Sequence, residues 1–290
     1  MKYFLNDPFK QLWPDSSAYY FTCDSNGIIL INYSNMKGLA GGVKERYHPT
    51  AISAYALYLY NQCAIDNFLK YADWLVDNLV KINSFYAWAF DFRWRAIGYE
   101  CDPPWISSMT QGMGISVLVR AYELTTDKKY LTAIDKALTA FEAPVTEKGL
   151  LRIINSDVWY EGTPSPTGTQ VLNEVLFALI GLHEASATEL FNQGFATIKK
   201  HLKDFDLNLL FFKWSRYDNG LLFYSGDKYH EIHIKQLKWL SVELPAYLLG
   251  KTAFKWDRWQ RDYNRYTKFI FTTIWSKFYI KYLKKRYLAK

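Results

Sequence analysis

The sequence predicts an all-α protein: an (α/α) toroid, or incomplete α/α barrel, of about four helical hairpins behind a small irregular/β N-terminal segment. Three observations predict it. Apolar residues fall into a helical period from Pro49 onward. Helical patterns then recur in consecutive pairs down to the C-terminus. The stretches 82–106, 143–166 and 204–230 between them are long and rich in Trp, Tyr and Phe. A plain solenoid would repeat at a shorter, more even spacing.

Residues 1–47 read as the least helical part. Ser25-Asn26-Gly27 has the composition of a turn, and Ile28-Ile29-Leu30-Ile31 that of a short strand. Gly38, Gly41 and Gly42 mark a loop. Residues 50–62 then place Ile52, Tyr55, Ala56, Leu59 and Tyr60 on one helical face. Residues 64–80 do the same with Phe68, Tyr71, Ala72, Leu75 and Leu79. Further helices are expected at 108–125, 127–142, 167–184, 187–203, 231–249 and 252–288, the last of them open to a break. The expected organisation is a segment 1–47, a helical body 48–250, and a basic aromatic helix 251–290 that completes or flanks it.

Half of the 290 residues are hydrophobic, which is enough for a large core. Aromatic residues make up 18%, a content that excludes disorder over most of the length. Core packing explains many of them; flat sugar faces against Trp and Tyr are the alternative where they crowd into loops. The net charge of +7 is uneven. Residues 251–290 hold 12 of the 35 Lys and Arg but two of the 28 Asp and Glu. The body is thus near neutral, which argues against a nucleic-acid enzyme. The basic end suits an anionic polymer or peripheral contact with an anionic membrane. Cys23, Cys63 and Cys101 are widely spaced and form no CxxC pair, so neither a disulfide framework nor a zinc site is expected. The N-terminal MKYFLNDPFKQLWPD holds no signal-like apolar run, and no apolar stretch is long enough to span a bilayer. The expectation is a cytoplasmic protein, peripheral at a membrane through 251–290, with homodimerisation left open.

Three segments carry candidate chemistry. In 103–122, Ser107 or Ser108 can cap a helix, and Gly112 and Gly114 inside it cost about 1 kcal/mol each relative to Ala. Close approach of a backbone or of a ligand would explain them equally. In 159–173, a loop with Tyr160 and Glu161 feeds a helix, both side chains expected to face a cleft. In 214–237, His230 and His233 share a helical face with Gln236 one turn on. No third ligand is evident from spacing, so hydrogen bonding is favoured over metal.

Taken together these segments resemble the D-glucuronyl C5-epimerase family, in its C-terminal α-helical domain. The similarity runs in order through Tyr47-His-Pro49, Tyr55-Ala-Leu57, Trp105-x-Ser-x-Met-x-Gln-Gly112, Arg120-Ala-Tyr122, Trp159-Tyr-Glu161, Pro164, Val171-Leu-Asn173, Gly181-Leu182 and Tyr229-His-x-x-His-Ile-x-Gln-Leu237. The resemblance implies a cleft that uses tyrosines and a carboxylate. It makes Tyr229 and Tyr217 the acid/base candidates, with Glu161 a third. Trp105, Gln111, Tyr160, Asn173, Arg216, His230 and His233 are the implied substrate-binding residues. No metal and no cofactor are implied. The run Glu161-Gly162-Thr163-Pro164 departs from the Glu-Glu-Tyr-Pro usual in the family.

The implied reaction is C5 epimerisation of a uronic-acid polysaccharide or oligosaccharide. C5 carries a hydrogen alpha to the carboxylate; its removal as a proton leaves a dianionic enolate that the site must neutralise. Reprotonation from the opposite face inverts C5, whereas loss of the C4 substituent makes the protein a lyase. A catalytically degenerate glycan-binding protein is the non-enzymatic alternative. Free tyrosine, with a pKa near 10, is a poor base at neutral pH, and His230, Arg216 or Lys228 could lower it.

Overall fold

A computed structural model describes residues 2–13, 19–36, 42–96, 99–166, 168–209, 212–219 and 223–263. The chain is mostly helical and carries small antiparallel sheets in its connections. After a single turn of helix, α1 (Pro8–Gln11), comes a three-stranded sheet of β1 (Tyr20–Cys23), β2 (Ile29–Asn32) and β3 (Glu45–Arg46). The turn at Ser25-Asn26-Gly27 is as expected. Asp24 Oδ1 accepts from the backbone N–H groups of Asn26 and Ile28, and Gly27 takes φ +76°. Gly38 and Gly41 lie outside the described residues.

Four helical hairpins follow: α2 (Pro49–Asn61) with α3 (Ile65–Asp77), α4 (Ser108–Thr125) with α5 (Lys128–Glu142), α6 (Leu172–Glu184) with α7 (Thr188–His201), and α8 (Asp227–Glu243) with α9 (Tyr247–Asp262). The first helices pack in series, α2 on α4, α4 on α6 and α6 on α8, and each second helix packs on its own partner. Burial follows this division. On α6 nearly every residue from Leu172 to Leu182 is buried, whereas α3 buries one stripe, Phe68, Tyr71, Ala72 and Leu75. The stripe is the one the sequence predicts, apart from Leu79, which lies beyond the helix end.

Local chemistry sets several boundaries. His48 caps α2, its Nδ1 accepting from Ala51 N–H, and Pro49 fills the first helical position. Asp127 caps α5 through Lys129 N–H. Ser107 takes the cap position of α4 without a side-chain bond. Helix α6 starts five residues later than the sequence suggests because 168–171 pair sideways instead. Val171 bridges to Asp218, and Gln170 N–H donates to Asp218 Oδ2. Helix α8 begins four residues early, at Asp227, and Pro245 follows its end. The expected helix 252–288 is present as α9 to Asp262; its remainder lies outside the described residues.

The glycines of α4 are explained by packing. A Cβ on Gly112 would lie 2.3 Å from Phe177 O, and one on Gly181 would lie 2.2 Å from Gly112 O. The backbones of α4 and α6 therefore cross in near contact. Gly114 lies against the ring of Trp88. Across the same helix pair, Arg120 grips Glu184 with two bonds of 2.7 and 2.8 Å.

The long connections are not the irregular loops that an all-α reading expects. They hold the hairpins β4 (Val80–Ile82)–β5 (Phe85–Ala87), β6 (Trp94–Ala96)–β7 (Tyr99–Cys101) and β8 (Leu151–Ile154)–β9 (Asp157–Tyr160). A third connection forms the sheet β10 (Asp206–Leu209), β11 (Phe212–Asp218), β12 (Phe223–Tyr224). Their aromatic and β-branched residues favour strands. No helix among the described residues is long and apolar enough to cross a membrane.

Candidate active site

A cavity of about 530 Å³ opens where the N-terminal segment, the start of α2, the start of α6, β11 and the start of α8 converge. Its walls are aromatic on one side, with Trp13, Tyr19, Tyr33, Phe90, Trp94 and Trp105. Trp105 is fixed in place: its ring stacks on Phe90 at 3.8 Å, and its indole N–H donates to Phe92 O at 2.7 Å. Polar groups of the lining come from Asn173, Glu174, Tyr217, Lys228 and Tyr229.

Tyr217 from β11 and Tyr229 from the first turn of α8 meet with ring centroids 4.8 Å apart, inclined at 58°. Burial pushes the Tyr229 hydroxyl up to about 12, and the charge of Glu174 adds to the rise. A hydrogen bond with Tyr217 counteracts part of it. The sequence-based expectation of a lowered tyrosine pKa is thus corrected: the Tyr229 phenol keeps its proton at neutral pH. Of the cations expected to act on it, Lys228 is in place, 4.4 Å from the centre of the Tyr229 ring, its Nζ donating to Leu12 O at 2.9 Å. Burial pulls Lys228 down to about 8. Arg216, beside Tyr217 on β11 where the strand register shifts, does not line the cavity.

Four sequence-predicted residues, Trp105, Asn173, Tyr217 and Tyr229, come together around this cavity. Asn173 is 1% exposed, and its Oδ1 has no partner among the described residues. Besides Arg216, the remaining five, Tyr160, Glu161, Gln111, His230 and His233, do not line the cavity. Tyr160 and Glu161 are buried rather than exposed to a cleft. The Tyr160 hydroxyl donates to Leu190 O at 2.7 Å. Glu161 pairs with Arg152 and accepts from Ser165 N–H at 3.0 Å and Thr169 N–H at 3.1 Å, so its oxygens organise the loop after β9. Gln111 is buried and donates to Trp88 O. His230 and His233 both face Ser215 Oγ, at 2.8 and 3.0 Å from their Nδ1 atoms, inside a buried network with Ser225. Among the described residues no cluster of His, Cys, Asp and Glu could hold a metal ion.

Among the cavity residues that sequence reasoning missed are His48 and Glu174. His48 carries a neutral ring, since burial brings it down to about 3, and its Nδ1 is committed to the helix cap. The ring proton is therefore on Nε2, leaving a donor. Glu174 is half-buried, and its environment raises it to about 8, through burial first and then the charges of Asp218 and Glu161. A signal for Glu174 existed in Gly162: a Cβ there would lie 1.2 Å from Glu174 Oε2. In this chain the space beside residue 162 is taken by the Glu174 carboxylate.

A family model described as D-glucuronyl C5-epimerase C-terminus matches residues 82–258. A D-glucuronyl C5-epimerase of Caenorhabditis elegans is 31% identical over 217 residues, covering 65% of this chain and 34% of the relative. An uncharacterized protein of Methanocaldococcus jannaschii is 29% identical over 184 residues, covering 60% of this chain and 58% of the relative. The chain therefore spans about a third of the length of the worm relative and somewhat over half of the archaeal one.

Proposed function

The chain belongs to the D-glucuronyl C5-epimerase C-terminal family, and on that footing we propose that it epimerises uronate residues of a polysaccharide at C5. The observation that carries this reading is the tyrosine pair, 4.8 Å between rings, on the wall of an aromatic-lined cavity beside one lysine. The row of helical hairpins is read as an incomplete (α/α) toroid with 48–250 as its body, and the cavity as its groove.

Chemistry gives each group a task. The sugar ring lies against Trp105 and its aromatic neighbours, which shield the site from water and strengthen its electrostatics. Lys228 faces the uronate carboxylate and offsets the second negative charge that develops as C5 loses its proton. Asn173 Oδ1 accepts from a sugar hydroxyl, which satisfies an otherwise unpaired buried acceptor. The Tyr217–Tyr229 pair delivers a proton to C5, and a high phenol pKa suits that donor role. The basic stretch 251–290 is assigned to holding an anionic polymer or membrane surface close by.

The test is solvent exchange. Incubation of a glucuronate polymer with the protein in deuterated water should place deuterium at C5, read by NMR. Binding without incorporation would reduce the protein to a glycan-binding module. Ultraviolet absorbance from an unsaturated uronate would make it a lyase. Removal of 277–290 should weaken sedimentation with anionic vesicles; unchanged sedimentation would discard the membrane role.

A further inference from the structure

We propose that Glu174 is the base that removes the C5 proton, occupying from helix α6 the point that a side chain on loop residue 162 would otherwise reach. The inference rests on the epimerase reading above and deepens it by naming the proton acceptor.

Three observations carry it. The first is position. Glu174 lines the cavity that holds Tyr217, Tyr229 and Lys228, one residue on from Asn173. A ligand is already implied there, because Asn173 is 1% exposed and its Oδ1 is unpaired among the described residues. The second is the contrast between two neighbouring carboxylates. Glu161 is held by Arg152 and by two backbone N–H groups, which commit both of its oxygens. Glu174 accepts no such bond among the described residues. Its charged neighbours are Asp218 on β11 and Glu161 at the end of β9. Both repel a further negative charge, so a proton arriving on Glu174 is welcome.

The third is the exchange of space between 162 and 174. An ideal Cβ on Gly162 would lie 1.2 Å from Glu174 Oε2 and 2.1 Å from Cδ. The two positions therefore address one point in the wall, and glycine at 162 is what admits the carboxylate of 174. Burial with like charges nearby brings Glu174 to about 8, where a carboxyl can both take and release a proton near neutrality.

The step balances without a co-reactant. Glu174 as carboxylate takes the C5 proton: its O–H bond forms, the C5–H bond breaks, and the electron pair spreads into the uronate carboxylate as an enolate facing Lys228. A phenol of the tyrosine pair then gives its proton to C5 on the other face, which restores the carboxylate of the sugar. Glu174 and the phenolate exchange protons with water to reset. Solvent hydrogen thus enters C5 in every completed turnover.

The experiment compares the full chain with Glu174→Gln, with Glu174→Gly and with the double variant Gly162→Glu/Glu174→Gly, using a polymer of alternating glucuronate and N-acetylglucosamine in deuterated water. Wild type should incorporate deuterium at C5, and Glu174→Gln should lose about a hundredfold or more of the rate with its circular dichroism and polymer affinity retained. The double variant should regain at least about tenfold over Glu174→Gly alone, because the carboxylate returns to the same point. Wild-type exchange that persists in Glu174→Gln overturns the assignment and leaves the epimerase reading standing. Should Glu174→Gln fail to fold, a double variant no better than Glu174→Gly overturns it instead. Absence of exchange by wild type removes the epimerase reading, and this base with it.

Discussion

Tyr217 and Tyr229 lie 12 residues apart in sequence and meet with ring centroids 4.8 Å apart, one on strand β11 and one in the first turn of α8. Neither is placed by chance. Trp214 on the same strand stacks on His230 at 3.8 Å, and Ser215 bonds both His230 and His233. These buried contacts fasten β11 to α8 beside the tyrosines.

Removing either hydroxyl should therefore disable proton delivery without unfolding the wall. Tyr229→Phe and Tyr217→Phe are expected to lower C5 exchange by about 10²–10⁴-fold while thermal unfolding stays close to wild type. Exchange at wild-type rate in both would show that the pair takes no part.

Loss of the network behind them has a different signature. Ser215→Ala leaves two buried imidazoles short of a shared partner and should destabilise the protein by about 1–3 kcal/mol, read by denaturant titration. A neutral outcome would mean that His230 and His233 are held by other groups.

Glu174 gives stability a pH dependence of known sign. Its native pKa is raised to about 8 from an ordinary value near 4.5. Below the ordinary value the carboxyl is protonated in both states and contributes nothing. As pH rises from there the unfolded chain ionises first, so the group destabilises the fold progressively until about 8, where the native carboxyl ionises too and the effect levels. Wild-type stability should thus fall relative to Glu174→Gln across that window. Parallel curves for the two proteins would contradict the raised pKa.

The crossing of α4 and α6 tolerates no added carbon. Gly112→Ala would push a methyl to 2.3 Å from Phe177 O, an immovable backbone atom. The expected loss is about 1–3 kcal/mol or more, and a variant as stable as wild type would show that the helices can separate freely. Beside this crossing, Arg120→Met should cost up to about 3–5 kcal/mol by stranding Glu184, whose side chain is only 10% exposed. Adding Glu184→Leu should recover much of it.

The helical body was legible because its signals are local. The stripe Phe68, Tyr71, Ala72 and Leu75 and the boundaries of α4 follow from periodicity alone. The hairpins in the connections were not, because their strands are two to seven residues long and pair only within the folded wall. At the site, Tyr217, Tyr229, Asn173 and Trp105 were found through motif resemblance. Glu161 and Tyr160 drew attention by the same route, yet their side chains turn inward to Arg152 and Leu190. Glu174 escaped because its meaning depends on Gly162, 12 positions earlier, and only three-dimensional contact joins the two.

The most direct measurement is a structure of the protein with a short glucuronate oligosaccharide. A uronate is expected in the cavity with its carboxylate toward Lys228, C5 within about 3–3.5 Å of the Glu174 carboxylate on one face, and the Tyr217 or Tyr229 hydroxyl on the other. A sugar seated instead in the neighbouring cavity of about 460 Å³ beyond Trp105, against Lys148 and Arg152, with the tyrosines untouched, would contradict it.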